Sequence, residues 1–193
     1  MRAGLFLALL ALTVVAHAKT ALLQHIPLQW RPTSDLRLGA LEMSQASIHF
    51  EGFQDARQNK EAIGENLEDD QPKPVTTGDD VGAFVGNHMR ELFEHAGLKT
   101  VDGNAAVTIK GEVKQFFVRE TSSYKSEVAV HVTVLGSGGK TLWSGTASGD
   151  ATRFGRSYKA ENYYEVLCDA LVNAVSSMLQ SPQFQKALSG TAN

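Results

Sequence analysis

The sequence predicts an α+β domain: an antiparallel sheet of about four strands, with a mixed sheet as its variant, and two main helices packed on one face. Three observations carry this. Apolar residues recur at helical spacing in "VGAFVGNHMRELFEHA" and again in "AENYYEVLCDALVNAVSSMLQ", and strict alternation runs through "YKSEVAVHVTVL". Helices set on one face of an antiparallel sheet are the economical way to bury such stripes.

The first eighteen residues, "MRAGLFLALLALTVVAHA", read as an export leader. Arg2 gives a short positive start, Leu5 to Val15 an apolar run, and Ala16-His17-Ala18 the small residues a signal peptidase needs. Cleavage after Ala18 leaves a mature chain beginning at Lys19. No later stretch approaches the ~20 apolar residues of a membrane-spanning helix. The expected location is the periplasm. A formal net charge of −3 gives no electrostatic case for nucleic acid or for anionic lipid. One cysteine, Cys168, cannot form an internal disulfide.

Residues 19 to 45 hold two prolines and no clean period, so they read as an extended lead-in packed in part through Leu28 and Trp30. The single domain is placed at 46 to 193. It opens with the half-buried strand "ASIHFEGFQDAR", ending in Asp55 and Arg57. Residues 58 to 76 are mostly loop, with a short strand around Glu61 to Gly64. Glu65, Glu68, Asp69 and Asp70 lack the alternating oxygen ligands and closing glutamate of a calcium loop.

The first helix carries Val81, Phe84, Val85, His88, Met89, Leu92 and Ala96 as one stripe. Thr77 is its expected N-cap, with Asp80 in the acidic capping-box position and Asp79 beside it in the first turn. Gly97 supplies the left-handed closing residue. His88 and His95 are seven residues apart and do not make an i, i+4 metal pair. The carboxylates cap.

"AAVTIKGEVKQFFVRE" and "YKSEVAVHVTVL" then alternate as two strands, and "LWSGTASG" makes a third. His131 falls on the polar face. "GSGGKT" lacks the leading glycine of a phosphate loop, since position 134 is valine, and strand follows it; it is a hairpin turn. The second helix buries Tyr164, Leu167, Leu171, Ala174, Val175 and Met178 and flanks them with Cys168, read as a packed thiol. Ser181 and Pro182 open a short last helix, "PQFQKAL".

"RFGRSYK" gathers Arg153, Phe154, Arg156, Tyr158 and Lys159, the one local basic and aromatic cluster and the candidate surface for an anionic glycan or a partner protein. The plain alternative is an exposed connecting loop. No residue pattern points to a metal, a cofactor or a nucleophile–base–acid set. The leading reading is a non-enzymatic envelope accessory protein that binds an envelope protein or polymer through a sheet edge or through residues 153 to 159. One alternative is a hydrolase of envelope polymers using Asp55, Asp79 or Asp80, which requires two carboxylates to converge. Another is a small-ligand protein with a pocket between helix and sheet.

The order of elements, with "SIHFEGFQDARQNKEAIG", "EHAGLKTV", "GGKTLWSG" and "ENYYEVLCDALVNAVSSMLQSPQFQKAL", resembles the YajG-type family of uncharacterised bacterial envelope lipoproteins over residues 46 to 188. The resemblance implies an α+β envelope domain with no known enzymatic activity and no agreed ligand. Lys19 stands where that family carries its acylated cysteine, which argues against an outer-membrane lipid anchor and for a free periplasmic form.

Overall fold

A computed structural model describes residues 22–37 and 46–190; the expected leader and its Ala18 cleavage point lie outside them. Among the described residues there are seven strands and three helices. In chain order they are β1 (Ile48–Phe50), β2 (Gln54–Asp55), β3 (Ala62–Asn66), β4 (Lys73–Thr76), α1 (Val81–His95), β5 (Val107–Glu120), β6 (Ser123–Gly136), β7 (Thr141–Phe154), α2 (Ala160–Leu179) and α3 (Pro182–Leu188).

The three 14-residue strands β5, β6 and β7 form an antiparallel meander. One face buries Val107, Ile109, Val113, Phe116 and Val118 of β5, every second residue from Tyr124 to Val134 of β6, and Ala147 of β7. The other face carries Lys110, Glu112, Lys125, Glu127, Thr146 and Ser148, as period-2 patterning requires. Helix α2 rests on the apolar face so closely that a Cβ on Gly149 would lie 2.2 Å from the Ala170 carbonyl oxygen. Helix α1 meets β5 through Phe53, whose ring fills the space left by Gly86 on the helix and Gly111 on the strand. That seam is therefore packed at the point where a helix–sheet pocket would open.

The sheet is larger than four strands and is mixed: its path is β4-β3-β5-β6-β7, with β1 and β2 also on β5. β1, β2 and β3 all run parallel to β5, while β4 is antiparallel to β3. The expected opening strand is broken at residues 51–53, where the chain leaves the ladder to drive Phe53 into the α1 seam. β4 carries Pro74, tolerable because this strand lies at the sheet margin. Helix α1 begins later than its sequence pattern implies. Asp80, not Thr77, is the N-cap and accepts from the Ala83 N–H at 3.0 Å, while the Thr77 hydroxyl accepts from the Asp79 N–H at 3.1 Å. Asp79 and Asp80 thus precede the first turn. Gly97 closes the helix at φ 82°.

Residues 22–37 form an extended strap. It pairs with the β4 margin through Thr76, whose N–H donates to the Leu23 oxygen and whose oxygen accepts from the Ile26 N–H, both at 2.9 Å. It then crosses α1 and follows α2. Its backbone N–H groups are taken by Asp79 (from Leu28, 2.7 Å), Asp169 (from Thr33, 2.6 Å) and Ser176 (from Arg37, 3.1 Å). Leu28, Trp30 and Leu36 pack against the core beneath it.

Candidate functional site

The segment that follows β7 crosses the end of the sheet and carries the basic and aromatic cluster. Arg153 and Phe154 are still strand residues, in register with Tyr124 and Ser123 of β6. This corrects the loop reading for those two positions. The Arg153 guanidinium turns back to Glu165 of α2 as an ion pair. Phe154 is 90 % exposed.

Gly155, at φ 145°, then turns the chain. Arg156 reaches Glu68 across the sheet end at 3.2 Å. Tyr158 adopts φ 40°, a left-handed conformation unfavourable for a tyrosine. Its hydroxyl accepts from the Leu23 N–H at 3.1 Å, and the Lys73 ammonium lies 5.6 Å from its ring centroid. Lys159 is the residue before α2 and makes no side-chain cap bond. The structure thus brings Arg156 and Tyr158 together with Glu68, Lys73 and the strap. Arg153 is directed to α2 and Phe154 to solvent.

What holds this segment is a residue the sequence reading did not single out. Glu120, the last residue of β5, is fully buried. One carboxylate oxygen accepts from the N–H groups of Ser157 (3.1 Å) and Tyr158 (2.9 Å); the other accepts from the Tyr163 hydroxyl at 2.7 Å. Burial alone would push this carboxyl up. Hydrogen bonds from Tyr124, Asn66, Tyr163 and the Tyr158 amide outweigh it and leave the pKa below the ordinary glutamate value. Burial and the adjacent carboxylate raise the Tyr163 phenol far beyond its usual range. Glu120 continues the inward series of Phe116 and Val118, which a shift in register between Val113 and Gln115 sets.

The carboxylates of a hydrolase are all engaged elsewhere. The fold does bring Asp55 to the start of α1, since a Cβ on Gly82 would lie 2.7 Å from the Asp55 nitrogen. Yet the Asp55 carboxylate is held by Arg57 at 2.8 Å, Asp79 accepts from the strap and Asp80 caps α1. Arg57 is itself consumed: its five N–H groups reach both Asp55 oxygens and the carbonyls of Lys60, Ala62 and Phe116. It lines an open cleft of about 630 Å³ with Gln58, Glu65, Lys114 and Phe117 but offers that cleft no free donor.

His88 stacks on Trp30, centroids 4.2 Å apart and planes 8° from parallel, with Nδ1 2.8 Å from Glu91. His95 is exposed. Among the described residues, no three His, Cys, Asp or Glu side chains are placed to hold a metal ion. Cys168 is buried under the strap, its sulfur near the Arg31 N–H (3.3 Å) and the Gln29 oxygen (3.5 Å). Burial pushes this thiol up to about 12. Since the thiolate is the nucleophile, Cys168 in the folded chain should react with iodoacetamide at pH 8 at least ~100-fold more slowly than in the urea-unfolded chain. Comparable rates in the two states would overturn the strap's covering role.

Among curated proteins no relative matches this chain. Of solved structures, a DUF330 protein from Xanthomonas campestris shares the fold: TM-score 0.52 and 11 % identity, covering 77 % of this chain and 90 % of that one. PelC from Paraburkholderia phytofirmans, a dodecamer, is a looser likeness, with TM-score 0.44, 17 % identity and coverage of 78 % and 97 %. No helix among the described residues is long and apolar enough to cross a membrane. The family described as uncharacterized lipoproteins matches residues 41–189, every strand and helix of the domain, and the chain belongs to it.

Proposed function

We propose that the protein is a non-enzymatic accessory protein of the cell envelope, periplasmic after export, which docks an extended segment of a partner envelope protein on the outer edge of β7. One observation carries this reading. β7 ends the sheet path, and among the described residues β6 is its only strand partner along all fourteen residues. Such an edge presents a row of backbone N–H and C=O groups to an incoming strand. Its solvent-facing side chains, Ser144, Thr146, Ser148 and Thr152, are short and let a second backbone approach. Asn173 of α2 occupies one carbonyl, that of Asp150, at 2.8 Å. The engagement of Asp55, Asp79 and Asp80 in structural bonds supports the absence of hydrolytic chemistry, and family membership supports the envelope setting.

A photoreactive residue in place of Ser148, illuminated in the intact envelope, should yield one discrete polypeptide adduct. The same residue at Asp102, whose side chain is 86 % exposed and which lies beside β1, with β5 and β6 between it and β7, should not. Equal labelling at both positions, or none at 148, would remove the β7 edge as the docking surface.

A further inference from the structure

An antiparallel strand turns its backbone groups alternately towards one neighbour and the other. Along β7 the even-numbered residues are the ones turned away from β6. The Phe116 carbonyl, taken by Arg57, points away from β6, so Phe117 bonds to β6 opposite Glu127. Glu127 is thereby spent on β5, and its β7 neighbour Asp150 directs its backbone outward. The Asp150 carbonyl is accordingly open to the Asn173 amide of α2. Ser144, Thr146, Ser148, Asp150 and Thr152 thus offer a docked strand their N–H and C=O groups. The same residues stand on the open face of the sheet, while Gly149 between them abuts α2.

Asp150 is the one charge in that row of hydroxyls, and it stands directly opposite Glu127. Side chains approach most closely in a pair of this kind, and like charges so placed are unfavourable. Both carboxylates are exposed, and among the described residues neither has an ion-pair partner. Lys125, one step along the same face, stands opposite Thr152 and Arg119 and pairs with neither acid.

We infer that the docked segment carries a lysine or arginine at the position facing Asp150, an inference that rests on the β7 edge being the docking surface. On the open face, the side chain opposite Asp150 starts about 5 Å from it. A long basic side chain there meets Asp150 and reaches past it towards Glu127. A glutamate would instead complete a row of three carboxylates, so the pair also rejects acidic segments. The pair fixes register as well. A slip of two residues sets the base against Ser148 or Thr152, and a slip of one turns it to the α2 side. A second copy of this chain does not fit, because its β7 edge carries only serine, threonine and aspartate on that face from 144 to 152.

Replacing Ser148 by benzoylphenylalanine, in the full chain and the intact envelope, supplies the readout. Asp150→Asn should lower the adduct yield about 3-fold, and Asp150→Asn with Glu127→Gln about 10-fold. Asp70→Asn removes an equal charge from the exposed 67–72 loop and should leave the yield unchanged. In the mapped adduct, a lysine or arginine should stand two residues from the cross-linked one, on the same face of the partner strand. An unchanged yield in the double variant, an equal fall with Asp70→Asn, or a mapped segment without that base would overturn the inference and leave edge docking intact. No adduct in the chain with both acids present would remove edge docking, and this inference with it. Neither carboxylate makes a bond that holds the fold, so the double variant should melt no lower than the wild-type chain.

Discussion

Arg57→Ala should lower the stability of the protein by about 4 kcal/mol, a loss that removes much of the margin of an ordinary domain. Arg57 is only 8 % exposed and its guanidinium ties together Asp55, the turn carbonyls of Lys60 and Ala62, and the β5 carbonyl of Phe116. Truncation leaves a carboxylate at a site with 10 % side-chain exposure without its counter-charge. It also strands the Phe116 carbonyl, the buried one of the three acceptors this side chain had satisfied, and an unsatisfied buried acceptor costs ~1 to 3 kcal/mol.

The damage would spread along the chain, because the 56–62 turn is what carries the backbone from β2 to β3, the two strands flanking the middle and end of β5. In urea the midpoint should move down by about 2 M, taking a denaturant slope near 2 kcal/mol per M. Arg57→Lys should recover less than half of this. A lysine carries three donors on one nitrogen and cannot fork between both Asp55 oxygens and three carbonyls. A midpoint shift under about 0.5 M for the alanine variant would show that the turn holds without its guanidinium.

The elements legible in the sequence are those whose contacts are periodic. α1, α2 and α3 follow the 3.6-residue stripe, and the valines at 128, 130, 132 and 134 follow the two-residue alternation into the core. What escaped is set by long-range pairing or by breaks in period. Nothing local in "SIHF" says that it runs parallel to a strand sixty residues later. Pro74 hides β4, since proline argues against a strand everywhere but at a margin.

The most consequential break is in β5. Its inward residues are odd-numbered up to Val113 and even-numbered from Phe116, because a bulge lies between Val113 and Gln115. One inserted residue swaps the faces. A fixed alternation carried through from Val107 places Glu120 in solvent; the real register buries it. The site was legible in the same partial way. A basic and aromatic cluster at 153 to 159 can be read from composition, whereas the pairing of Arg156 with Glu68 depends on which ends of β3 and β7 the sheet brings to one side.

Glu120 gives the second large effect, and this one depends on pH. Glu120→Ala should cost about 4 kcal/mol at neutral pH, by leaving the Tyr158 N–H and the Tyr163 hydroxyl without an acceptor and the Ser157 N–H with the Tyr124 hydroxyl alone. Glu120→Gln keeps one acceptor oxygen and should cost about half as much. The wild-type carboxyl titrates below its unfolded value in spite of burial, because the hydrogen bonds favour its charged form. A depressed pKa contributes stability that is fully present above the unfolded value, about 4.3, and is lost as pH falls through the folded one. The gap between wild type and Glu120→Gln should therefore hold steady from pH 7 to 5 and narrow below about pH 4. A gap that stays constant down to pH 3 would mean that the charge contributes nothing. The same carboxylate holds Tyr158 at its unfavourable φ of 40°. In either variant the Ser157 and Tyr158 amides should exchange with solvent faster than the β6 amides of Val130 and Val132, because local opening at the sheet end no longer breaks two charge-assisted bonds.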